Sequence, residues 1–110
     1  MAFEIAANLE DVEVGEALLV ELAEPVCLVR VDDRDVRAIS DTCTHQQQSL
    51  SEGTVDGATI TCAAHAATFD LDTGAAVGLL RVPPVTRYAC RIEDGAVLVD
   101  LDHPAGDPER

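Results

Sequence analysis

Four residues of two chemical types are spaced in a way that could bind a metal. Cys43 and His45 form a first pair, and Cys62 and His65 form a second pair after a gap of sixteen residues. Thiolates and imidazoles are ligands of zinc and of iron centres. Structural zinc sites usually pair Cys with Cys and His with His, whereas each pair here mixes the two types. Zinc bound at the same four residues, or four unconnected side chains, are the alternatives at this point.

Short strands and tight turns are predicted around these pairs. Asp56-Gly57 is a hairpin signal between the segments 53–55 and 58–61, so the two pairs should lie at adjacent hairpin ends. A second short strand pair, 69–70 and 75–77, should enclose the turn residues between them.

The rest of the chain shows the same pattern of short apolar runs separated by polar turns. The predicted strands are 3–5, 17–22, 26–31, 36–40, 85–92 and 96–101. Because no stretch has sustained helical periodicity, we predict an all-β fold, a small antiparallel β sandwich or barrel in one domain covering 1–110. The metal-binding subdomain should cover about 41–82, and the segment 103–110 should be a mobile tail.

The chain is strongly acidic. Seven Arg, with no Lys, face 21 acidic residues, so the net charge is −14. Nucleic acid and anionic membranes are poor partners for such a surface, and a basic patch on another protein is a better one. Glu52, Asp56, Asp70 and Asp72 lie in a stretch without Lys or Arg, which predicts an acidic field around the exposed metal site.

The ends and the apolar runs of the chain indicate its compartment. The N-terminal sequence has neither a basic nor an apolar region of the kind found in signal peptides, and no apolar run approaches the length of a membrane span. We therefore expect a soluble, cytoplasmic protein with reduced thiols. Cys27 and Cys90 alternate with apolar residues and should be buried free thiols, with a mutual disulfide or a redox role as the alternatives.

The order Cys43-x-His45 and Cys62-x-x-His65 closely resembles the Rieske family, which binds a [2Fe–2S] cluster through two Cys and two His. The flanking sequence is also similar to that of Rieske-type ferredoxins. The matching segments are Leu50-Ser51-x-Gly53, Phe69-Asp70-x-x-Thr73-Gly74 and the run from Glu93 to Val99. The resemblance implies a Rieske-like fold with a cluster-binding subdomain and one [2Fe–2S] cluster. It also implies that Cys43 and Cys62 bind the inner iron, and that His45 and His65 bind the outer iron near solvent.

Residues that differ from high-potential relatives predict a low potential. Those relatives carry a disulfide between the ligand segments, together with a Ser and a Tyr that donate hydrogen bonds. The corresponding positions here are Gln48, Ala64, Ala67 and Phe69, which can supply neither. Fewer hydrogen bonds to the cluster lower its potential, toward the bottom of the Rieske range of about −150 to +300 mV.

The second pair also departs from the usual family pattern Cys-Pro-x-His-Gly. Ala63 stands in place of the Pro and Ala66 in place of the Gly. Ala63 lacks the fixed φ of proline, and Ala66 does not adopt positive φ as freely as glycine. We expect the backbone of this segment to differ from that of its relatives.

The function implied by the resemblance is electron transfer and not catalysis. Small Rieske ferredoxins relay electrons from an NAD(P)H-dependent flavoprotein reductase to a ring-hydroxylating, Rieske non-haem iron oxygenase. We expect a monomer that docks transiently with both. The alternatives are a Rieske ferredoxin serving another acceptor, iron–sulfur assembly or redox sensing, and a structural zinc module.

Overall fold

The computed structural model describes residues 3–42, 49–63, 67–77 and 82–104, which form ten β-strands and two short 3₁₀ turns. In chain order the strands are β1 (Glu4–Asn8), β2 (Ala17–Glu21), β3 (Pro25–Asp32), β4 (Asp35–Ser40), β5 (Thr54–Asp56), β6 (Thr59–Thr61), β7 (Thr68–Asp70), β8 (Ala76–Val77), β9 (Arg87–Glu93) and β10 (Ala96–Pro104). The 3₁₀ turns are Leu9–Asp11 and Leu50–Glu52. Across these described ranges no helix is long and apolar enough to cross a membrane.

The strands form two antiparallel sheets. The large sheet has the order β1-β10-β9-β4-β3-β2, and the small sheet has the order β5-β6-β7-β8. The predicted strands 17–22, 26–31 and 36–40 correspond to the consecutive antiparallel strands β2, β3 and β4, and the predicted hairpin around Asp56-Gly57 is present as β5-β6. The all-β antiparallel prediction is therefore confirmed. The pairing of β1 with β10 joins the two ends of the described chain, which no local signal had indicated.

The two faces of β3 contribute to two separate parts of the core. Successive side chains of a strand point to opposite faces, and Val26, Cys27, Leu28 and Val29 are all buried. Cys27 and Val29 pack in a cluster, here called the inter-sheet core, with residues of the small sheet and of the turn before it. Val26 and Leu28 pack in a second cluster within the large sheet. The small sheet therefore packs on one face of β3 and β4.

Arg37 on β4 makes a polar connection between the two sheets. Its Nε and Nη2 donate to the two carboxylate oxygens of Asp35 at 3.0 and 2.9 Å. Its Nη1 forms an ion pair with Asp72, in the turn between β7 and β8. The hydrogen bond to Asp35 is the main reason why the pKa of Arg37 is raised above its usual value. Because Asp72 is 55% exposed, solvent limits this pair to about 0–1 kcal/mol of stability.

Strand boundaries near the C-terminus differ from the predicted ones. β9 begins at Arg87 instead of Val85, because the Val85 N–H donates to Gly74 O at 2.8 Å and its side chain is buried in the inter-sheet core. β10 continues to Pro104 and pairs there with Tyr88 after a register shift, so the first two residues of the predicted tail, 103 and 104, belong to a strand. Residues 105–110 of the predicted mobile tail lie outside the described residues.

Candidate metal centre

One of the four predicted ligands, Cys62, lies within the described residues. It directly follows β6 and is fully buried in the inter-sheet core, together with Leu50, Ile60 and Phe69. Cys43, His45 and His65 lie outside the described residues. The structure therefore describes the residues that flank the two parts of the chain carrying the predicted ligands. We call residues 43–48 the first ligand segment and residues 63–66 the second.

The first ligand segment begins and ends at one point of the fold. Thr42 and Ser49, the residues on its two sides, form an isolated antiparallel bridge. One residue further out, the Leu50 N–H donates to Asp41 O at 2.6 Å. The Asp41 carboxylate accepts a hydrogen bond from the Ser51 N–H at 2.8 Å and another from the Ser49 hydroxyl. These contacts hold the two ends of the segment together.

The second ligand segment is closed in the same manner by β6 and β7. The Cys62 N–H donates to Ala67 O at 2.8 Å. The hydroxyls of Thr61 and Thr68, the last paired residues of the two strands, lie 2.9 Å apart. Cys62 therefore lies at the base of a four-residue connection and not within regular ladder pairing.

Gly53 brings the residues that flank the two ligand segments close together. A Cβ atom at Gly53 would lie 1.9 Å from Thr61 O, so only glycine allows the turn after the first segment to pack against the residue preceding Cys62. Thr54 then pairs with Thr61 across β5 and β6. Both ligand segments therefore leave from the same end of the small sheet, here called the ligand end. This arrangement, with a buried thiol at one base, fits a donor set of two Cys and two His on one centre.

The four acidic residues predicted near the metal site do not lie equally close to the ligand end. Asp56 and Asp70 are each paired with Thr59, at the far end of β6, and Asp72 lies in the following turn. Because β6 is three residues long and a strand rises about 3.3 Å per residue, these carboxylates lie roughly 10 Å from Cys62 along the strand. Of the four acidic residues, Glu52 lies beside the ligand end and the other three lie toward the opposite end of β6.

Acidic residues from elsewhere in the chain approach the ligand end instead. The Asp41 N–H donates to Pro25 O at 3.1 Å, which brings the turn between β2 and β3 beside the first ligand segment. Glu21 is the last residue of β2 and pairs with Pro25, Glu24 lies in the turn, and both side chains are exposed. The Tyr88 hydroxyl donates to Glu24 at 3.0 Å. Glu21 and Glu24 lie far from the Cys/His pattern in sequence, so no motif indicated them.

Of the two remaining thiols, Cys27 is fully buried as predicted, whereas Cys90 is only partly buried. Cys27 and Cys90 are both free, and they lie in different parts of the core. Burial, and then the Asp41 carboxylate, raise the pKa of Cys27 well above its usual value. Burial is also the main cause that raises the pKa of Cys90 to about 12. Both thiols are therefore protonated core residues, and the predicted alternative of a mutual disulfide is wrong.

Two of the four positions that predict a low potential lie within the described residues. Ala67 and Phe69 are buried in the inter-sheet core, and neither side chain has a hydrogen-bond donor. Gln48 and Ala64 lie outside the described residues, as does Ala66. Ala63 is half-buried and directly follows Cys62.

Asp41, Ser49 and Ser51 are the site residues that sequence reasoning missed. Asp and Ser are the residue types that hydrogen-bond to nearby backbone groups at strand ends and turns. An Asp two residues before the first Cys, followed by Ser-x-Ser just before a glycine turn, is therefore a signal that could have identified this cluster.

Comparison with known proteins agrees with this geometry. The chain matches the Rieske [2Fe-2S] domain family over residues 3–89. The 3-phenylpropionate/cinnamic acid dioxygenase ferredoxin subunit of Escherichia coli strain K12 is 39% identical over 97 residues, covering 87% of this chain and 91% of that protein.

Two solved structures share the fold along nearly the whole chain. The ferredoxin of Sphingomonas yanoikuyae B1 aligns with a TM-score of 0.83 and 31% identity, over 90% of this chain and 98% of that chain. A chain from the complex of reduced oxygenase and oxidized ferredoxin in carbazole 1,9a-dioxygenase aligns with a TM-score of 0.84 and 30% identity, over 96% and 97%. This chain belongs to the Rieske [2Fe–2S] domain family, and one [2Fe–2S] cluster is its cofactor.

Proposed function

We propose that this chain is a one-electron carrier, the ferredoxin component of a dioxygenase system, and that Cys43, His45, Cys62 and His65 bind its cluster. The observation that carries the proposal is 39% identity to a dioxygenase ferredoxin subunit over nearly the full length of both chains. The common origin of the two ligand segments at the ligand end supports the ligand assignment.

The described residues prepare the site in three ways. Cys62 presents a thiol from which water is excluded, since it is fully buried. The bridge between Thr42 and Ser49 and the hydrogen bond from Cys62 to Ala67 hold the segments on either side in register. Ala67 and Phe69 add apolar surroundings without donors, which supports a low potential. When bound, the [2Fe–2S] cluster supplies the one-electron couple.

The partners follow from the same assignment. The solved complex of an oxygenase with its ferredoxin supports a terminal Rieske oxygenase as the electron acceptor. An NAD(P)H-dependent flavoprotein reductase is the proposed donor, because a one-electron carrier needs a donor that divides a hydride into single electrons. We propose that the protein works as a cytoplasmic monomer and meets both partners through its ligand end, in small and transient interfaces.

The experiment that tests the cofactor is reduction of the purified protein followed by EPR and visible spectroscopy. We expect a coloured protein with the EPR signal of a reduced His-ligated [2Fe–2S] cluster and a midpoint potential below zero at pH 7. A colourless, EPR-silent protein that contains zinc would exclude the cluster, and a potential well above zero would exclude the low-potential assignment.

The experiment that tests electron transfer mixes the reduced protein with an oxidised terminal oxygenase in the absence of other donors. We expect the spectrum of the oxygenase Rieske centre to change to its reduced form as this protein becomes oxidised, with one electron per chain. If the protein holds a reducible cluster but transfers no electron to any Rieske oxygenase tested, it serves another acceptor and the dioxygenase assignment fails.

A further inference from the structure

Asp41 is a buried acidic residue at the point where β4 ends and the first ligand segment begins. Only 4% of the surface of Asp41 is exposed to solvent. Its backbone is held on both sides, because its N–H donates to Pro25 O at 3.1 Å and its carbonyl accepts from the Leu50 N–H at 2.6 Å. Asp41 therefore has a fixed position directly after β4 of the large sheet, two residues before Cys43.

The Asp41 carboxylate contacts the residues on the far side of the first ligand segment. One oxygen accepts the Ser51 N–H at 2.8 Å, and the other accepts the Ser49 hydroxyl. The Ser49 and Ser51 hydroxyls also contact each other at 2.7 Å. The side chain before the segment thus fixes both the backbone and the hydroxyl groups of the residues after it.

These contacts depend on one another. A buried carboxylate is costly unless hydrogen bonds replace the water that it has lost. The two donors that meet this need, the Ser49 hydroxyl and the Ser51 N–H, both lie directly after the first ligand segment. Moving Ser49 or Ser51 away would leave the carboxylate without these donors, so the position of the two segment ends is strongly favoured.

We propose that Asp41 is a positioning residue for the [2Fe–2S] cluster. Its carboxylate holds Ser49 and Ser51, and so sets the distance between the two ends of the segment that bears Cys43 and His45. This inference rests on the proposed function, in which those two residues are ligands. Residues that orient metal ligands without touching the metal typically contribute roughly 10–100-fold to metal retention.

The test compares Asp41→Ala with Asp41→Asn and with a matched control, Asp35→Ala. Asp35 lies at the opposite end of β4. Its carboxylate, like that of Asp41, accepts two hydrogen bonds, in this case both from the Arg37 side chain. The measurements are the rate at which a chelator removes iron from the holoprotein, the EPR g values of the reduced protein, and the free energy of unfolding.

We expect Asp41→Ala to lose iron to the chelator about 10-fold faster and to show shifted or broadened g values. Asp41→Asn should stay close to the wild type, because its amide oxygen still accepts the Ser51 N–H and the two Ser hydroxyls can reverse their hydrogen bonds. Asp35→Ala should lower the free energy of unfolding but leave the chelation rate and the g values unchanged.

Three outcomes would overturn the inference. They are wild-type chelation and g values in Asp41→Ala, equal changes in Asp41→Ala and Asp35→Ala, and an Asp41→Asn protein as impaired as Asp41→Ala. If Asp41→Ala does not fold, Ser49→Ala decides, since it removes one donor and leaves the charge. Unchanged chelation and g values in Ser49→Ala would then overturn it. A wild-type protein without a cluster would instead contradict the proposed function.

Discussion

The three cysteines within the described residues differ in their backbone surroundings. Cys27 and Cys90 lie within β3 and β9, where ladder pairing continues on both sides. Cys62 comes directly after β6, and its N–H closes the base of the second ligand segment. Burial alone does not separate these residues, since Cys27 is as fully buried as Cys62. What separates them is whether the chain turns away from the sheet at the thiol.

This difference predicts the outcome of four Cys→Ser variants. Cys43→Ser and Cys62→Ser should contain almost no [2Fe–2S] cluster, because a serine hydroxyl is a poor substitute for a thiolate iron ligand. Cys27→Ser and Cys90→Ser are the matched controls and should keep a full cluster with an unchanged EPR spectrum. Iron per chain and EPR spin count are the measurements. A full-strength, unshifted signal in Cys43→Ser would show that the ligand assignment is wrong.

The raised thiol pKa values also predict a loss of stability at high pH. The pKa of Cys in an unfolded chain is about 8.5, whereas burial raises the pKa of Cys90 in the folded protein to about 12. Between these values the folded state binds more protons than the unfolded state, so the free energy of unfolding falls as pH rises. The slope is at most about 1.4 kcal/mol per pH unit for each thiol, and the thiol contribution is complete below pH 8.5.

Urea unfolding of the wild type and of Cys90→Ala at about pH 8 and pH 10 measures this effect. Because the cluster and Cys27 are common to both proteins, the difference between them reports on Cys90 alone. The difference in free energy of unfolding between the wild type and Cys90→Ala should become smaller by about 1–2 kcal/mol at the higher pH. Parallel changes in the two proteins would contradict a raised Cys90 pKa.

At the scale of elements, the contact of the Leu50–Glu52 turn with the end of β6 couples the two ligand segments. The sequence predicted the β5-β6 hairpin from Asp56-Gly57, and Gly57 indeed has φ of +60°. It did not predict why Gly53 matters, because the atom that excludes a side chain there is the carbonyl oxygen of Thr61, eight residues later. Such a requirement arises only after the strands pair.

Gly53→Ala should therefore displace the turn from β6. We expect a loss of about 1–3 kcal/mol in the free energy of unfolding, as for overpacked sites, together with a lower iron content. Gly57→Ala is the control: the φ of +60° is unfavourable for alanine, at a cost of about 1 kcal/mol, but nothing lies within 4 Å of the added Cβ. Iron content in Gly57→Ala should stay normal. Equal iron loss in the two variants would show that the Gly53 contact does not couple the segments.

At the scale of the whole molecule, the net charge of −14 is not spread as the local sequence suggested. Strand register places Asp56, Asp70 and Asp72 toward the opposite end of β6 from the ligand end. The hydrogen bond from Asp41 N–H to Pro25 O brings Glu21 and Glu24 beside the ligand end. Opposite charges on a partner increase the rate of association and make it dependent on salt. The residues that steer docking should therefore be those near the ligand end.

Two double variants with the same net charge test this arrangement. Glu21→Gln/Glu52→Gln neutralises exposed residues near the ligand end, whereas Glu13→Gln/Asp56→Asn neutralises exposed residues elsewhere. We expect the first double variant to transfer electrons to the oxygenase several-fold more slowly at low salt, with a rate that depends less on salt. The second double variant should change the rate and the salt dependence only slightly. Stopped-flow transfer rates at several ionic strengths provide the measurement. Equal effects would mean that net charge alone steers the encounter.

The sequence by itself determined the family, the cofactor and most of the hairpins, because these depend on residue types and on spacings within about twenty residues. Tertiary structure alone decided the pairing of β1 with β10, the continuation of β10 to Pro104, the close contact at Gly53 and the acidic residues at the ligand end. The physical reason is that each depends on strand register between distant parts of the chain. Asp41 belongs to both groups: its type and position signal a capping role, but only the fold shows that its carboxylate binds the residues beyond the first ligand segment.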